Sequence, residues 1–496
     1  MLGERGDLWR IGVTSNKSNR GAVRTKQTTQ PEFVFQLPSA AKVTREYFAR
    51  YEWISECLDG HPAIVDRVHR DLRKPLAQAK RKGPQGRACS FTSDTVLRLC
   101  LVKVLENLSF RGTVVRVDDS PRLREFTRIH NGRMMDFSTF CLLANAIQPK
   151  TWKAINELLA RAAVAEGLIT GEMLRIDTTA TESNIHWPTD SGLLWDTYRV
   201  LERNVQRIRA IHPGLVSDKR LHAKRAKQLH GRISRASRHR SAKSKREQKR
   251  LYGRLITLVE GILDWLPTFC ERVRRDAPGL GISVHDLLAM DAHVQEIERL
   301  LPLGRQAVDQ ARRRVIHGEQ VPNDQKLFSI FEPHTELLKR GRAGKDVEFG
   351  HMISIQQVEG KFITDYEVCE KKPVEYEMVD GAIESHVRLF GHAPDVLAAD
   401  KGYWESSFKT ERLSWQIPLV SIGKKGARTE EERAHERSLP FRLAQNFRAG
   451  VEGSISFLKV TLGLWRCMNK GFDHFISTVA STVFAHNLLI LARGPG

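Results

Sequence analysis

The chain is poor in features that would place it outside the reduced, globular class. Its seven cysteines, at positions 57, 89, 100, 141, 270, 369 and 467, are scattered without a CxxC pair or a Cys/His cluster. This argues against a zinc site and a disulfide framework and leaves reduced, mostly buried thiols. Long apolar runs are lacking as well: the sequence reads as having none of about 18 residues, the length a spanning helix needs, so no membrane partner is expected. The N-terminal stretch MLGERGDLWRIGVTSNKSNRG has no apolar segment and no small-residue cleavage site, so no signal peptide is expected. No Gly-x-Ser-x-Gly or His-Glu-x-x-His occurs. The segment GRAGKD fails as a phosphate loop, because Lys339 stands where glycine is required and Asp346 where serine or threonine is. Acidic residues are also in short supply, 58 against 79 Lys and Arg, for a formal charge of +21. A basic chain without a membrane-facing segment is expected to meet nucleic acid, and here DNA.

What is present is a chain of 496 residues, 41% apolar, long enough for two to four units and at least one sizeable core. Residues 1–41, rich in Ser, Thr, Gln, Gly and charge, are expected to form a flexible lead-in. Residues 42–170 read as a helical N-terminal domain that binds DNA. Its clearest helix follows Ser93, where Val96, Leu97, Cys100, Leu101, Val104, Leu105 and Leu108 repeat at three and four. Strand character starts at GEMLRID, so 171–191 reads as the first part of an α/β core. Residues 192–330 return to helix and read as an insertion. Within it, residues 201–250 hold 17 Lys or Arg against 3 Asp or Glu, two thirds of the chain's excess charge. Leu251, Leu255, Leu258, Ile262 and Trp265 then form a short seam, and Leu287, Val294, Ile297 and Leu301 are expected to pack back on it. Residues 331–496 read as the second part of the core. They comprise two strands joined by the Glu359-Gly360 turn, a helix over EYEMVDGAIESHVRLFG, a short strand ending at Asp400, a helix over WESSFKTERL, a strand over IPLVSI, and then long helices.

Three acids stand out. Asp177 follows the strand LRI, Asp400 follows VLAA, and Glu452 lies on a helix in NFRAGVEGSISFLK. Functional groups of open α/β sheets gather at the carboxyl ends of strands. Carboxylates suit hard divalent ions, and two such ions about 3.5–4 Å apart activate a water or hydroxyl and stabilise a leaving oxygen. Taken singly, each aspartate is also an ordinary turn cap, and Glu452 an ordinary helix partner of Arg448.

The segments RIDTTATESNIHWPTDSGLL, EFGHMISI, ADKGYWESS and FRAGVEGSISFLK together resemble the DDE transposases of bacterial insertion sequences. The resemblance covers 174–194 and 332–490, with a helical 93–170 section similar to the family's N-terminal domain. Its most specific part is the first motif, with Asp-Thr-Thr, Asn-Ile and Pro-Thr-Asp-Ser-x-Leu-Leu in register. The last helix is similar to the Tyr-x2-Arg-x3-Glu-x6-Lys signature at Arg448, Glu452 and Lys459, but Gln445 stands where tyrosine is expected. The resemblance implies an RNase H-like mixed sheet flanked by helices, with the basic helical insertion between the first strand and the rest of the core. It implies that Asp177, Asp400 and Glu452 bind two Mg²⁺ or Mn²⁺ ions and carry the catalysis, while Arg448 and Lys459 contact DNA. Tyr403 and Trp404 are placed as stacking partners of an unpaired base. Lys224, Arg225, Lys227, Arg232 and Arg235 of the basic block are expected to bind DNA backbone. Asp190 and Glu182 are the acids in reserve, and His186 and Trp187 read as structural. The implied activity is cleavage and strand transfer at terminal inverted repeats, by a homodimer on double-stranded DNA in a prokaryotic cytoplasm, at the nucleoid. A nuclease of the same fold without joining activity, and a non-catalytic basic DNA-binding relic, remain alternatives.

Overall fold

The computed structural model describes residues 41–78, 91–130, 132–216, 219–239, 241–342, 345–405 and 417–492. The expected lead-in and most of the expected helix over WESSFKTERL lie outside them. Along the chain, seven helices come first: α1 (Lys42–Gly60), α2 (Pro62–Gln78), α3 (Ser93–Leu105), α4 (Phe110–Asp119), α5 (Pro121–Phe126), α6 (Phe137–Ala146) and α7 (Pro149–Ala165). Strand β1 (Met173–Ser183) follows, then α8 (Asp190–Ile211), α9 (Ala223–Ala236), α10 (Ala242–Leu263), α11 (Leu266–Asp276) and α12 (Val284–Ala311). Next come β2 (Glu336–Arg342), β3 (Lys345–Gln357), β4 (Ile363–Val368), α13 (Met378–Phe390), β5 (Val396–Ala399) and β6 (Leu419–Ile422). The chain closes with α14 (Glu430–Arg437), α15 (Leu439–Ser456), the two-residue β7 (Arg466–Cys467) and α16 (Phe472–Ala492).

The chain divides into two compact units, one of residues 1–181 with 352–496, the other of 182–351. In the first, helices α1–α7 share one apolar core with the sheet and α16, so the N-terminal helices are not a separate body. Most of these helices start on the residues that favour it: Thr92, Ser109, Ser120 and Asp136 each accept a hydrogen bond from a first-turn amide. A buried ion cluster joins three of them. Arg98, fully buried, donates to Asp94 of its own helix at 2.8 Å, to Asp59 of α1 at 2.8 Å, to Ser55 at 2.7 Å and to the Phe126 carbonyl at 3.2 Å.

Helix α16 corrects one expectation. By length and composition it is apolar enough to cross a membrane. Here it is a core helix: Phe475, Val479, Val483, Phe484 and Leu488 are buried. Its buried Asn487 is fully engaged, donating to Asn156 of α7 at 2.9 Å and to the Ile363 carbonyl at 2.8 Å, and accepting from the Ile363 amide at 3.0 Å. A buried amide with no partner would be costly, which is why this apolar helix carries an asparagine only where a strand edge meets it.

The sheet is mixed and seven-stranded. Its order is β2-β3-β1-β5-β6, with β4 paired to β3 and β7 to β1. β3 and β4 form the expected antiparallel hairpin, turning through Glu359–Lys361 with Gly360 at φ 65°. β1 pairs in parallel with β5, and β5 with β6. β2 was not anticipated; it pairs antiparallel with the first half of β3.

The second unit begins before the expected insertion and ends after it. Its core is helical: Leu251, Leu255 and Ile262 of α10 are buried with Val294 and Ile297 of α12. Leu258, Trp265, Leu287 and Leu301 are only partly buried, so the seam is a broad face built also from Tyr252, Ile256, Val259 and Leu263 rather than two strict heptads.

Replacing Arg98 by Met keeps the unbranched apolar stem but strips buried Asp94 of one of its two cations, the other being Arg128 at 3.0 Å. The expected loss is about 3 kcal/mol or more of stability, as for other broken buried pairs, read as a lower urea midpoint for the first unit at unchanged m-value.

Candidate functional site

The parallel pairing of β1 with β5 ends at Ile176 opposite Ala399. The next residue on each strand is an acid, Asp177 on β1 and Asp400 after β5. Register alone therefore places them on neighbouring strands, about 4.8 Å apart in backbone terms. Asp177 differs from the sequence expectation in one respect: β1 does not end there but runs on to Ser183. The aspartate marks the end of the β5 pairing and not of the strand. Asp400 does end its strand, and its carboxylate accepts the Lys401 amide at 2.6 Å.

Glu452 reaches the same point from α15. Arg448, one turn earlier, lies 4.0 Å from the Asp177 carboxylate and 3.5 Å from that of Glu452, so its guanidinium stands between the two acids. Burial pushes the Asp177 carboxyl up to about 6; Arg448 opposes this, while Asp400 and Glu452 add to it. Asp177 is largely buried, whereas Glu452 and Asp400 are exposed. Among the described residues, no group of three His, Cys, Asp or Glu side chains is gathered closely enough to hold a metal ion as it stands. The donor set nevertheless suits a hard divalent ion: it is all carboxylate, it is held on two adjacent strands and a facing helix, and its most buried member holds its proton more tightly than a free carboxyl does.

Several residues that sequence reasoning did not single out hold this arrangement. Strand alternation puts Arg175 and Asp177 on one face of β1. Arg175 is buried; its Nε donates to Gln357 of β3 at 2.8 Å, and its guanidinium donates to the Phe447 carbonyl of α15. Gln357 in turn donates to Ser454 of α15 at 2.9 Å. The helix comes this close because residue 450 is glycine: a Cβ there would lie 2.5 Å from Arg175 Nη1. Gln445, in the place where the family signature has tyrosine, donates to the Ser421 carbonyl at 2.7 Å and so pins α15 to the end of β6. Glu375 is a further acid beside the site. It accepts from the Thr178 hydroxyl at 2.9 Å and lies against Gly402, where any Cβ would run into it. That contact explains the glycine of the DKGY motif. Arg175 had a usable signal, its two-residue spacing from Asp177, whereas Glu375 had none.

Other expectations are relocated. Tyr403 is buried at 1% exposure, with burial and then Asp177 and Glu375 raising its phenol, so it packs beneath the acids and has no face for a base to stack on. Trp404 is half-buried, with Lys424 Nζ 5.8 Å from its ring. Lys459 follows α15 in a short π-helical turn and is half-buried. Asp190 is not in the site. It opens α8 in the second unit, accepting from Gln310 at 2.9 Å and from Arg314 at 2.9 Å. Glu182 is buried near the end of β1. His186 pairs with Asp196 at 3.3 Å, and Trp187 packs edge-on against Phe349. In α9 the five expected cations, Lys224, Arg225, Lys227, Arg232 and Arg235, are all exposed, opposite buried Ala226, Leu229 and Ile233. Arg232 meets Glu247 at 3.0 Å.

Comparison with family models, with curated proteins and with solved structures finds no match to this chain.

A carboxyl raised in the fold binds its proton more tightly there than in the unfolded chain. Asp177 therefore opposes folding increasingly as pH rises from about 4 to about 6. In chelator-treated protein, this one group is expected to remove about 2–3 kcal/mol of stability across that window. Asp177→Asn is expected to flatten that part of the pH–stability curve in urea titrations and to be the more stable protein at pH 7.

Proposed function

We propose that this chain is a DDE-type transposase: a metal-dependent enzyme that binds the terminal inverted repeats of an insertion sequence, cuts at the element ends and joins the freed 3′-hydroxyl to target DNA. The observation that carries the reading is the register of β1 on β5, which sets Asp177 and Asp400 side by side, with Glu452 brought to Asp177 through Arg448. The sheet order supports it. The strand bearing the first acid lies between an antiparallel hairpin and two parallel crossover strands, as an RNase H-like core requires.

In this reading Asp177, Asp400 and Glu452 hold Mg²⁺ or Mn²⁺, two ions in the working site. When bound, the metal supplies an activated oxygen nucleophile and charge neutralisation at the scissile phosphate. The chain's own residues do the rest. Burial of Asp177 keeps water from competing for its oxygens. Arg448 offsets part of the acids' negative charge and, with Lys459, faces the incoming phosphate backbone. The exposed cations of α9 bind the duplex by charge, independently of sequence. No serine or tyrosine nucleophile is required, because phosphoryl transfer of this kind rests on positioning and electrostatics. Joining two ends implies a dimer on DNA, and the site of action is the nucleoid of a prokaryotic cytoplasm.

The test is strand transfer of pre-cut terminal-repeat DNA into a plasmid, with Mg²⁺ or Mn²⁺. Joined product is expected from the wild type. Asp177→Asn, Asp400→Asn and Glu452→Gln are each expected to lower it at least a thousandfold while changing DNA affinity less than threefold. Cleavage without any joined product would make the protein a nuclease of the same architecture, and full activity of any one variant would remove that residue from the triad. Changing Lys224, Arg225 and Lys227 together to Gln is expected to weaken binding to all duplexes alike. The slope of log K against log salt should fall by about 2 to 3, near 0.9 for each phosphate that is no longer neutralised.

A further inference from the structure

The first unit contains a cavity of about 390 Å³ that the proposed chemistry does not use. Its walls come from the end of α3, the start of α4, α6, α7, the Leu462–Asn469 loop and the first turns of α16. Among the described residues, two cations line it, Lys103 and Arg466, and no carboxylate does. Lys103 is held largely out of water with its Nζ 5.0 Å from the centre of the Phe110 ring. Burial lowers its ammonium, and the acidic groups that act on it are thiols (Cys100, Cys467 and Cys141), not carboxylates. A buried ammonium in contact with no carboxylate is costly unless something anionic reaches it. A second polar group points to the same conclusion: the Ser477 hydroxyl on the cavity wall is buried and has no hydrogen-bond partner. Helix α4, ten residues long and capped by Ser109, begins at the cavity and adds the positive end of its dipole. The half-buried Phe110 supplies an aromatic wall, and the volume is that of a small-molecule site.

We propose that this cavity binds a phosphomonoester carried on a planar ring system, the chemistry of a nucleoside 5′-monophosphate. Lys103 and Arg466 meet the phosphate, Ser477 donates to it, and the half-buried Phe110 flanks the ring. The nucleotide reaches the cavity either free or as the phosphorylated end of a DNA strand. The site does not depend on the metal-binding acids.

Calorimetric titration of the full chain with dAMP and with deoxyadenosine tests the free form. A 5′-phosphorylated single-stranded oligonucleotide and its unphosphorylated twin test the strand end. In at least one pair, the phosphorylated member is expected to bind saturably and at least tenfold more tightly than the other. Tighter binding in the dAMP pair assigns the free nucleotide; tighter binding in the oligonucleotide pair alone assigns the strand end. Lys103→Met is expected to abolish that tenfold preference, its fold checked by circular dichroism. Should that variant fail to fold, acylation of Lys103 in the wild type, followed by mass spectrometry, serves instead: saturating phosphorylated ligand is expected to slow it at least threefold. Equal binding of phosphorylated and unphosphorylated partners, no saturable binding, an unchanged preference in folded Lys103→Met, or no protection of Lys103 would each overturn the proposal.

Discussion

The candidate site rests on the guanidinium of Arg175. It sits on the same face of β1 as Asp177, two residues earlier, and bonds at once to β3 through Gln357 and to α15 through the Phe447 carbonyl. Gln357 completes the triangle by donating to Ser454. Three elements distant in sequence are thus held by one buried polar network whose members satisfy each other. Such a network is costly if any partner is missing and specific when all are present. Because the network fixes where α15 lies, it fixes where Arg448 and Glu452 point. Gly450 is part of the same constraint, since the helix can approach the guanidinium only where no Cβ intervenes.

On that scaffold the electrostatics of the acids follow. Asp177 is largely buried near two other carboxylates, and the Thr178 amide and Arg448 offset this only in part. Desolvation and like charge both favour the protonated acid, so the fold keeps a group there that stability alone would not select. Strain of this kind is common where charge is to be received later, and it is the physical basis for reading the cluster as a metal site. Arg98 presents the opposite case. It is as buried as any residue in the chain, yet both of its acids and its carbonyl are in place, so it fastens α1 and α3 and invites no ligand. Lys103 falls between the two, half-buried, with thiols and no carboxylate among the groups that act on it.

The excess positive charge is segregated. The block of residues 201–250 belongs to the second unit, where α9 keeps a narrow apolar stripe inward and its cations outward. A helix with so little apolar surface is stabilised by packing against α8 and α10, not by its own composition. The charge is therefore free to serve an interaction. The acids are segregated in the other unit, so substrate binding by charge and phosphoryl chemistry fall to different parts of the chain in the proposed function.

Much of this was legible in the sequence. Periodicity located the helix after Ser93, the β3–β4 hairpin and its turn at Glu359-Gly360, the short strands before Asp400 and over IPLVSI, and the basic helices, because these depend on local alternation and on turn residues. The three acids were legible as strand-end and helix residues within a motif resemblance. What sequence could not supply were facts of long range. Asp190 and Asp177 are thirteen residues apart and look alike, yet Arg314 takes one into a helix start while the register of β5 brings Asp400 beside the other. Tyr403, the last residue of DKGY, reads as a stacking aromatic, but the fold buries it, with Asp177 and Glu375 acting on its phenol. Helix α16 has the composition of a membrane span, and its burial in the core, with Asn487 paired to Asn156 and Ile363, makes it a core helix. Local pattern determined which elements form; burial and pairing between distant segments decided which polar groups were paired off and which were left to act.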